Sequence, residues 1–295
     1  QVSRTPLGSC RAASPSTALS GSWHPRPHAT MLCCLASGRA PKGGTAEGAA
    51  GPAARGISLG QLRQLREEYI ETGELKRLCE AWKASHPGEL PSWGGEVRED
   101  TYGLVNFVVK PLTDPRHNSK VEQCCSYSEY ANPDGLLAQR FVSHWWGQGF
   151  APLVGALERH AERTARCDAT DGHTYWISTY WICSFSKNQH DEASKPSACS
   201  LGRWPFRRAL EATSGTILVV NRGLEPLRRI WCLYEVFVTS ELGKPLTLTS
   251  EDSGGFLGGS GTELSGFQRA LAQINAAAAA SSREEDKRQI LLAAA

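Results

Sequence analysis

From Ser58 onward the hydrophobic residues fall into alternating helical and strand periods. Leu59, Leu62, Leu65 and Tyr69 recur at steps of three and four, the spacing of one helix face. Ser58-Leu59-Gly60-Gln61 places a hydroxyl at the N-cap and an amide three residues on, a capping box. Gly73 interrupts, and Leu75, Leu78, Cys79 and Trp82 resume the pattern on a second helix that ends before Pro87-Gly88. Residues 89–135 read as loops and short elements: Tyr102 to Val109 is apolar and β-branched, and Pro111, Pro115 and Pro133 punctuate the remainder. The stretch 58–135 is expected to be a helical preface wrapped on the main domain, without recognisable chemistry of its own.

Strands and helices then alternate. Gln139 to His144 reads as a short buried strand, ending in Trp145-Trp146-Gly147. Phe150, Leu153, Val154, Leu157 and His160 come next at helical spacing, and the aromatic, β-branched run Thr174 to Phe185 reads as a second strand. Pro205 suits the first position of a helix carrying Phe206, Leu210 and Thr213. Thr216 to Val220 is a continuous apolar run, typical of a parallel strand covered on both faces. A helix from about Leu227 to Leu242 stops at Gly243, and Leu246 to Leu248 is a last strand. A fifth strand is expected either within 174–202 or from the preface. Beyond a Gly-rich loop at 253–261, Ser265 to Ala280 and Arg283 to Ala294 read as terminal helices.

This order predicts parallel β-α-β units: an α/β fold with helices on both faces of the sheet, spanning 136–252, with 253–295 completing the same domain. In such sheets the ligand crevice lies beyond the carboxyl ends of the strands. The loop His144-Trp145-Trp146-Gly147-Gln148 is therefore the first place to look.

Composition narrows the function classes. The 295 residues are 40% hydrophobic and 21% charged, and no stretch approaches the length of a membrane-spanning helix. Lysine plus arginine number 32 against 30 acids, a net charge of only +2; a nucleic-acid binder relying on phosphate contacts would carry a stronger basic excess, so no nucleic acid is expected. Residues 1–57 carry six basic residues and one acid, Glu47, in an Ala-, Gly-, Ser- and Pro-rich context without apolar periodicity. They are read as a disordered leader, with organellar targeting as an alternative to a cytoplasmic location. Met31 is the sole methionine and a candidate start; Cys33 and Cys34 beside it are two unpaired thiols or lipid acceptors. The ten cysteines lack any C-x-x-C or regular spacing, so reduced thiols in an intracellular compartment are expected.

The stretch from Phe206 to Ser250 carries the strongest motif: a helix (FRRALEAT), a buried strand (TILVVN), a short loop, then Arg229-Ile230-Trp231-Cys232-Leu233-Tyr234-Glu235. It resembles the second half of a Toll/interleukin-1 receptor (TIR) domain, where a loop after an apolar strand leads into a helix beginning Trp-Cys-x-x-Glu. Phe141-Val142-Ser143 resembles the family's opening strand. The chain is also similar to a group of proteins of unicellular algae sharing F-V-S-H-W-W-G, Y-W-I-C, N-Q-H and R-I-W-C-L-Y-E. The TIR resemblance covers about residues 137–250 and implies a flavodoxin-like sheet. His144-Trp145-Trp146 replaces the family's charged positions after the first strand, and the loop at 186–202 has no clear counterpart.

The resemblance implies that Glu235 is the catalytic group of an NAD-cleaving activity. A carboxylate there suits the oxocarbenium character that builds on the ribose as the nicotinamide bond breaks. Trp231 and Glu235, four residues apart, share a helix face. The competing reading is a structural ion pair with Arg228 or Arg229. Ser143, His144, Trp145, Trp146 and Gly147, at and beyond the first strand's end, are candidate substrate-binding residues. So are Asn188, Gln189 and His190, with loop capping as the alternative, and Trp231. His144 is otherwise a satisfied, partly buried histidine, or a zinc ligand with His190, Cys183 or Cys232. Trp176 and Trp181 read as core. Arg203, Arg207 and Arg208 read as a solvated helix face. The expected function is a TIR-like signalling domain that binds NAD or another nucleotide as substrate, without a resident cofactor or metal. The alternative is a non-enzymatic module that self-associates as a homo-oligomer or docks a signalling partner.

Overall fold

The computed structural model describes residues 51–91, 96–167, 178–191, 204–221, 223–250, 274–281 and 284–293. The expectations for residues 1–50, Trp176, Arg203, the loop at 253–261 and most of the helix from Ser265 lie outside them.

Five strands form one sheet in the order β1-β3-β2-β4-β5: β1 Ile57–Ser58, β2 Arg140–Ser143, β3 Thr179–Ile182, β4 Thr216–Val220 and β5 Leu246–Ser250. The last four run parallel, and β1 pairs antiparallel with β3. The expected fifth strand thus comes from the preface. Counted along the chain, the parallel strands stand second, first, third, fourth, so the order reverses between β2 and β4. Such a reversal splays the loops leaving the two strands to opposite sides and opens a crevice at their carboxyl ends.

Side chains alternate faces along each strand, as the pleat requires. Val142, Tyr180, Ile182, Ile217 and Val219 enter one core, packed by α6 (Phe150–Cys167) through Leu153, Val154 and Leu157. The preface covers the same face with α1 (Leu59–Leu65), α2 (Glu74–Ser85) and the turns around α3 (Thr101–Leu104). Phe141 and Trp181 point the other way, stacked with ring centroids 4.9 Å apart. There they meet α8 (Pro205–Ala212), α9 (Ile230–Glu241) and α10 (Glu284–Ala293). Leu218 and Val220 fill a third cluster with Leu224 and Leu227. Helices cover both faces of the sheet and Trp181 is core, both in line with the sequence pattern.

Local signals explain the element ends. The Ser58–Gln61 capping box forms: Ser58 Oγ accepts from Gln61 N–H at 3.1 Å and Gln61 Oε1 accepts from Ser58 N–H at 2.9 Å. Gly243 takes a left-handed φ of 62° after α9, the backbone that glycine adopts without penalty. Arg207 bonds Glu211 and Glu241, as a solvated helix face would.

Four expectations need correction. Residues 51–57 are not part of a structureless leader: Gly56 N–H donates to Leu136 O at 2.7 Å and Ala138 N–H to Ala53 O at 2.8 Å. Gly56 permits this approach, since a β-carbon there would meet Leu136 O at 2.6 Å. Tyr102 to Val109 is helical, continuing through a wide turn into α4 (Lys110–Leu112), ahead of the short α5 (Tyr127–Ala131). Asp100 starts it, its carboxylate accepting from Gly103 N–H at 3.0 Å. The second strand is shorter than Thr174–Phe185. It ends at Ile182, and Cys183–Ser186 forms the helical turn α7, which Ser186 Oγ closes by accepting from Ile182 N–H. Finally, Ala276–Ala278 is a 3-10 turn rather than the end of an α-helix.

Candidate functional site

A cavity of about 290 Å³ opens at the carboxyl ends of β2 and β3, next to the strand-order reversal. His144, Trp145 and Trp146 line it from the loop after β2. Cys183, Lys187 and Gln189 come from the segment after β3, and Arg229, Trp231, Cys232 and Glu235 from the start of α9. Tyr102 of the preface, Phe206 of α8 and Asp286 of α10 complete the wall.

The local sequence explains how these groups converge. Helix α9 is apolar nearly all round because it lies between the sheet and its neighbours. Thr239 Oγ1 donates to Glu235 O at 2.6 Å, so its oxygen accepts from the Thr216 hydroxyl at 2.7 Å. That relay pins the turn bearing Glu235 to the start of β4. Cys232 Sγ donates to His144 O at 3.6 Å and ties the first turn of α9 to the loop after β2. Trp146 Nε1–H donates to Cys183 Sγ at 3.0 Å, and the Trp146 ring meets Tyr102 edge-on at 5.3 Å. Trp145 lies over Gly147, where a β-carbon would collide with its ring. Trp231 stacks on Phe206 at 5.0 Å, beside Trp204 and Tyr234.

Burial dominates the electrostatics of the site. Glu235 is 4% exposed, and burial pushes its carboxyl from 4.5 up to about 8, opposed by the neighbouring Ser143 hydroxyl. No cation pairs with it among the described residues, so neither Arg228 nor Arg229 makes the structural ion pair of the competing reading. Burial also drives His144 down to about 4, leaving a neutral imidazole. Its Nδ1–H donates to Trp145 O at 3.2 Å, so Nε2 is a bare acceptor, buried and without a hydrogen-bond partner. Ser143 Oγ likewise lacks a hydrogen bond of regular geometry. Burial raises both thiols, Cys183 to about 12 and Cys232 well above its usual value, with the Glu235 charge adding to the effect. His144 Nε2 is thus an unused acceptor in the cavity wall.

Of the candidate residues, the structure brings together Glu235, His144, Trp145, Trp146, Gln189 and Trp231. Ser143 and Gly147 stand behind them, Ser143 against Glu235 and Gly147 under Trp145. Gln189 faces the wall with its amide nitrogen donating to Cys183 O at 2.7 Å and Lys187 O at 3.1 Å. Asn188 and His190 leave the cavity. Asn188 Nδ2 donates to Cys124 O at 3.1 Å, and His190 Nε2 lies 2.9 Å from Thr113 Oγ1. Their direction separates His190 from His144 and Cys183, so those residues form no shared metal-ligand cluster among the described residues. Sequence reasoning missed Tyr102 and Asp286, both brought in by tertiary packing, along with Lys187, Phe206 and the cavity-facing role of Arg229.

The fold and site together define an α/β protein with a buried acid in a tryptophan-lined cavity at the switch point of a parallel sheet. Comparison with protein-family models, curated proteins and solved structures finds no match for the chain. No helix among the described residues is long and apolar enough to cross a membrane.

Proposed function

We propose that this chain is a TIR-like α/β domain whose cavity binds a nucleotide and cleaves NAD between nicotinamide and ribose, with Glu235 at the reacting centre. The observation that carries this reading is the buried, cation-free Glu235 carboxyl in the same cavity as His144 and the Trp145–Trp146 pair. The parallel strand order, second-first-third-fourth, supports the flavodoxin-like arrangement that the TIR resemblance implies. The volume, about 290 Å³, is at the small end of ligand pockets and suits one end of a dinucleotide.

The chemistry comes from the lining. A cationic nicotinamide near Glu235 supplies the positive charge that its burial lacks, drawing the carboxyl into its ionised form. When the glycosidic bond breaks, its electron pair moves to the ring nitrogen and neutralises the pyridinium. The positive charge passes to the ribose, where the Glu235 carboxylate stabilises it until water adds and a proton is released. In this reading His144 Nε2 engages a ribose hydroxyl, the aromatic wall stacks on a flat ring, Arg229 meets phosphate, and Ser143 acts from behind through Glu235.

The test is to incubate purified protein with NAD and monitor nicotinamide release. Wild type consumes NAD, and Glu235→Ala abolishes the reaction while retaining the fold. Because the carboxylate is the working form, kcat/KM rises with pH through about 8. A folded wild type that leaves millimolar NAD intact overturns the proposal. The alternative of a self-association module rests on the aromatic surplus around Trp145 and Trp146 and on the missing charged positions after the first strand; the position of Trp145, Trp146 and Trp231 in the cavity wall favours the ligand-binding reading over it.

A further inference from the structure

On the far side of the segment after β3, Asp114, Cys124 and His190 converge: one ligand atom from each lies within 4.8 Å of the other two. Asp114 is 3% exposed, and Cys124 and His190 are half-buried. His117 approaches Asp114 alone, its Nδ1 at 3.5 Å from Oδ2, and is a further donor if the loop closes on an ion. We propose that these side chains form a zinc site that fastens the loop 114–124 to the segment carrying His190.

Donor chemistry favours zinc, since carboxylate, thiolate and imidazole are its usual ligands and this mixed set suits neither calcium nor magnesium. Size agrees as well. With metal–ligand bonds of about 2.0–2.3 Å, the edges of a tetrahedron are about 3.3–3.7 Å. The Asp114–His117 separation is already such an edge, and Asp114, Cys124 and His190 need to close on one another by about 1 Å at most.

Orientation is prepared in advance. The Thr113 hydroxyl donates to Val109 O at 2.8 Å, so its oxygen is an acceptor toward His190 Nε2 at 2.9 Å. His190 is thereby held with its proton on Nε2 and a lone pair on Nδ1, the outer-shell arrangement that metal-binding histidines commonly show. Asn188 braces both ligand segments, donating to Cys124 O and accepting from His190 N–H at 3.0 Å. Cys125 N–H donates to Thr113 O at 3.3 Å, bringing the two ends of the loop side by side.

One group competes. Arg116 bonds both oxygens of Asp114, with Nη2 at 2.6 Å from Oδ2. Its side chain is 78% exposed, so it can swing into solvent when a divalent ion replaces its charge.

The experiment measures zinc per chain in full-length protein, expressed with zinc and dialysed against metal-free buffer. Cobalt substitution then reports the thiolate through its charge-transfer band. The expected result is about one zinc per chain, with affinity at least about tenfold weaker in both Cys124→Ser and His190→Ala. The cobalt–thiolate band disappears in Cys124→Ser and persists in Cys183→Ser, whose sulfur belongs to the cavity. Absence of stoichiometric zinc in the wild type overturns the site, as does equal zinc retention by both folded ligand variants. A cobalt band lost in Cys183→Ser but kept in Cys124→Ser would overturn it too.

Discussion

Replacing Glu235 by glutamine keeps the shape of the side chain and removes its ability to ionise, which isolates what burial does to this carboxyl. In the folded chain its pKa rises from 4.5 to about 8. Between those values the native state holds a proton that the unfolded state has released, so stability falls as pH rises. The full contribution is present below pH 4.5 and is lost on the way to pH 8. Each pKa unit is worth about 1.4 kcal/mol, so wild type loses roughly 3–4 kcal/mol from this group between pH 5 and 8. For a chain of this size that corresponds to a melting-temperature change on the order of 10 °C. Glu235→Gln is spared the loss: it melts close to wild type at pH 5 and well above it at pH 8. Other groups titrate in the same window, notably His144, whose depressed pKa of about 4 makes stability rise with pH between 4 and 6.5. The informative quantity is therefore the difference between the two proteins, measured by thermal unfolding at matched pH. Parallel pH profiles would refute the reasoning, because they would mean that Glu235 ionises in the folded chain as it does in the unfolded one.

Two further substitutions test other parts of the structure. Gly147→Ala drives a β-carbon into the Trp145 ring, and should cost about 1–3 kcal/mol in urea unfolding while displacing one wall of the cavity. Ser58→Ala removes the side-chain half of the capping box that begins α1, with an expected loss of about 1 kcal/mol by the same measurement.

Much of the α/β core could be read from the chain because β2, β3 and β4 are buried nearly throughout and helices such as α1, α2 and α6 are periodic. Ile217–Val220 is uniformly apolar, and β4 runs from Thr216 through it; the Leu59, Leu62, Leu65 spacing became the buried stripe of α1. The cavity was legible where its residues sit at strand ends or share a helix face, as His144, Trp231 and Glu235 do. Asn188, Gln189 and His190 show the limit. They are consecutive, so a turn sends them in different directions, and composition says nothing about which one faces the cavity. Tyr102 and Asp286 carry no local signal at all, since only the packing of the preface and of α10 against the central elements delivers them. The two-residue β1 is too short for any alternation to register.

That small strand has a practical consequence for anyone trimming the gene. Ile57 and Ser58 occupy the outer margin of β3, and Leu59 N–H donates to Ser178 O just beyond them. A fragment begun at residue 136, where the motif-bearing half starts, would bare the hydrogen-bonding row of β3 together with the apolar surface now beneath α1. Unpaired margins of that kind recruit strands from other molecules. Such a fragment should precipitate or associate for reasons unrelated to biology, and clustering seen with it would say little about the intact chain.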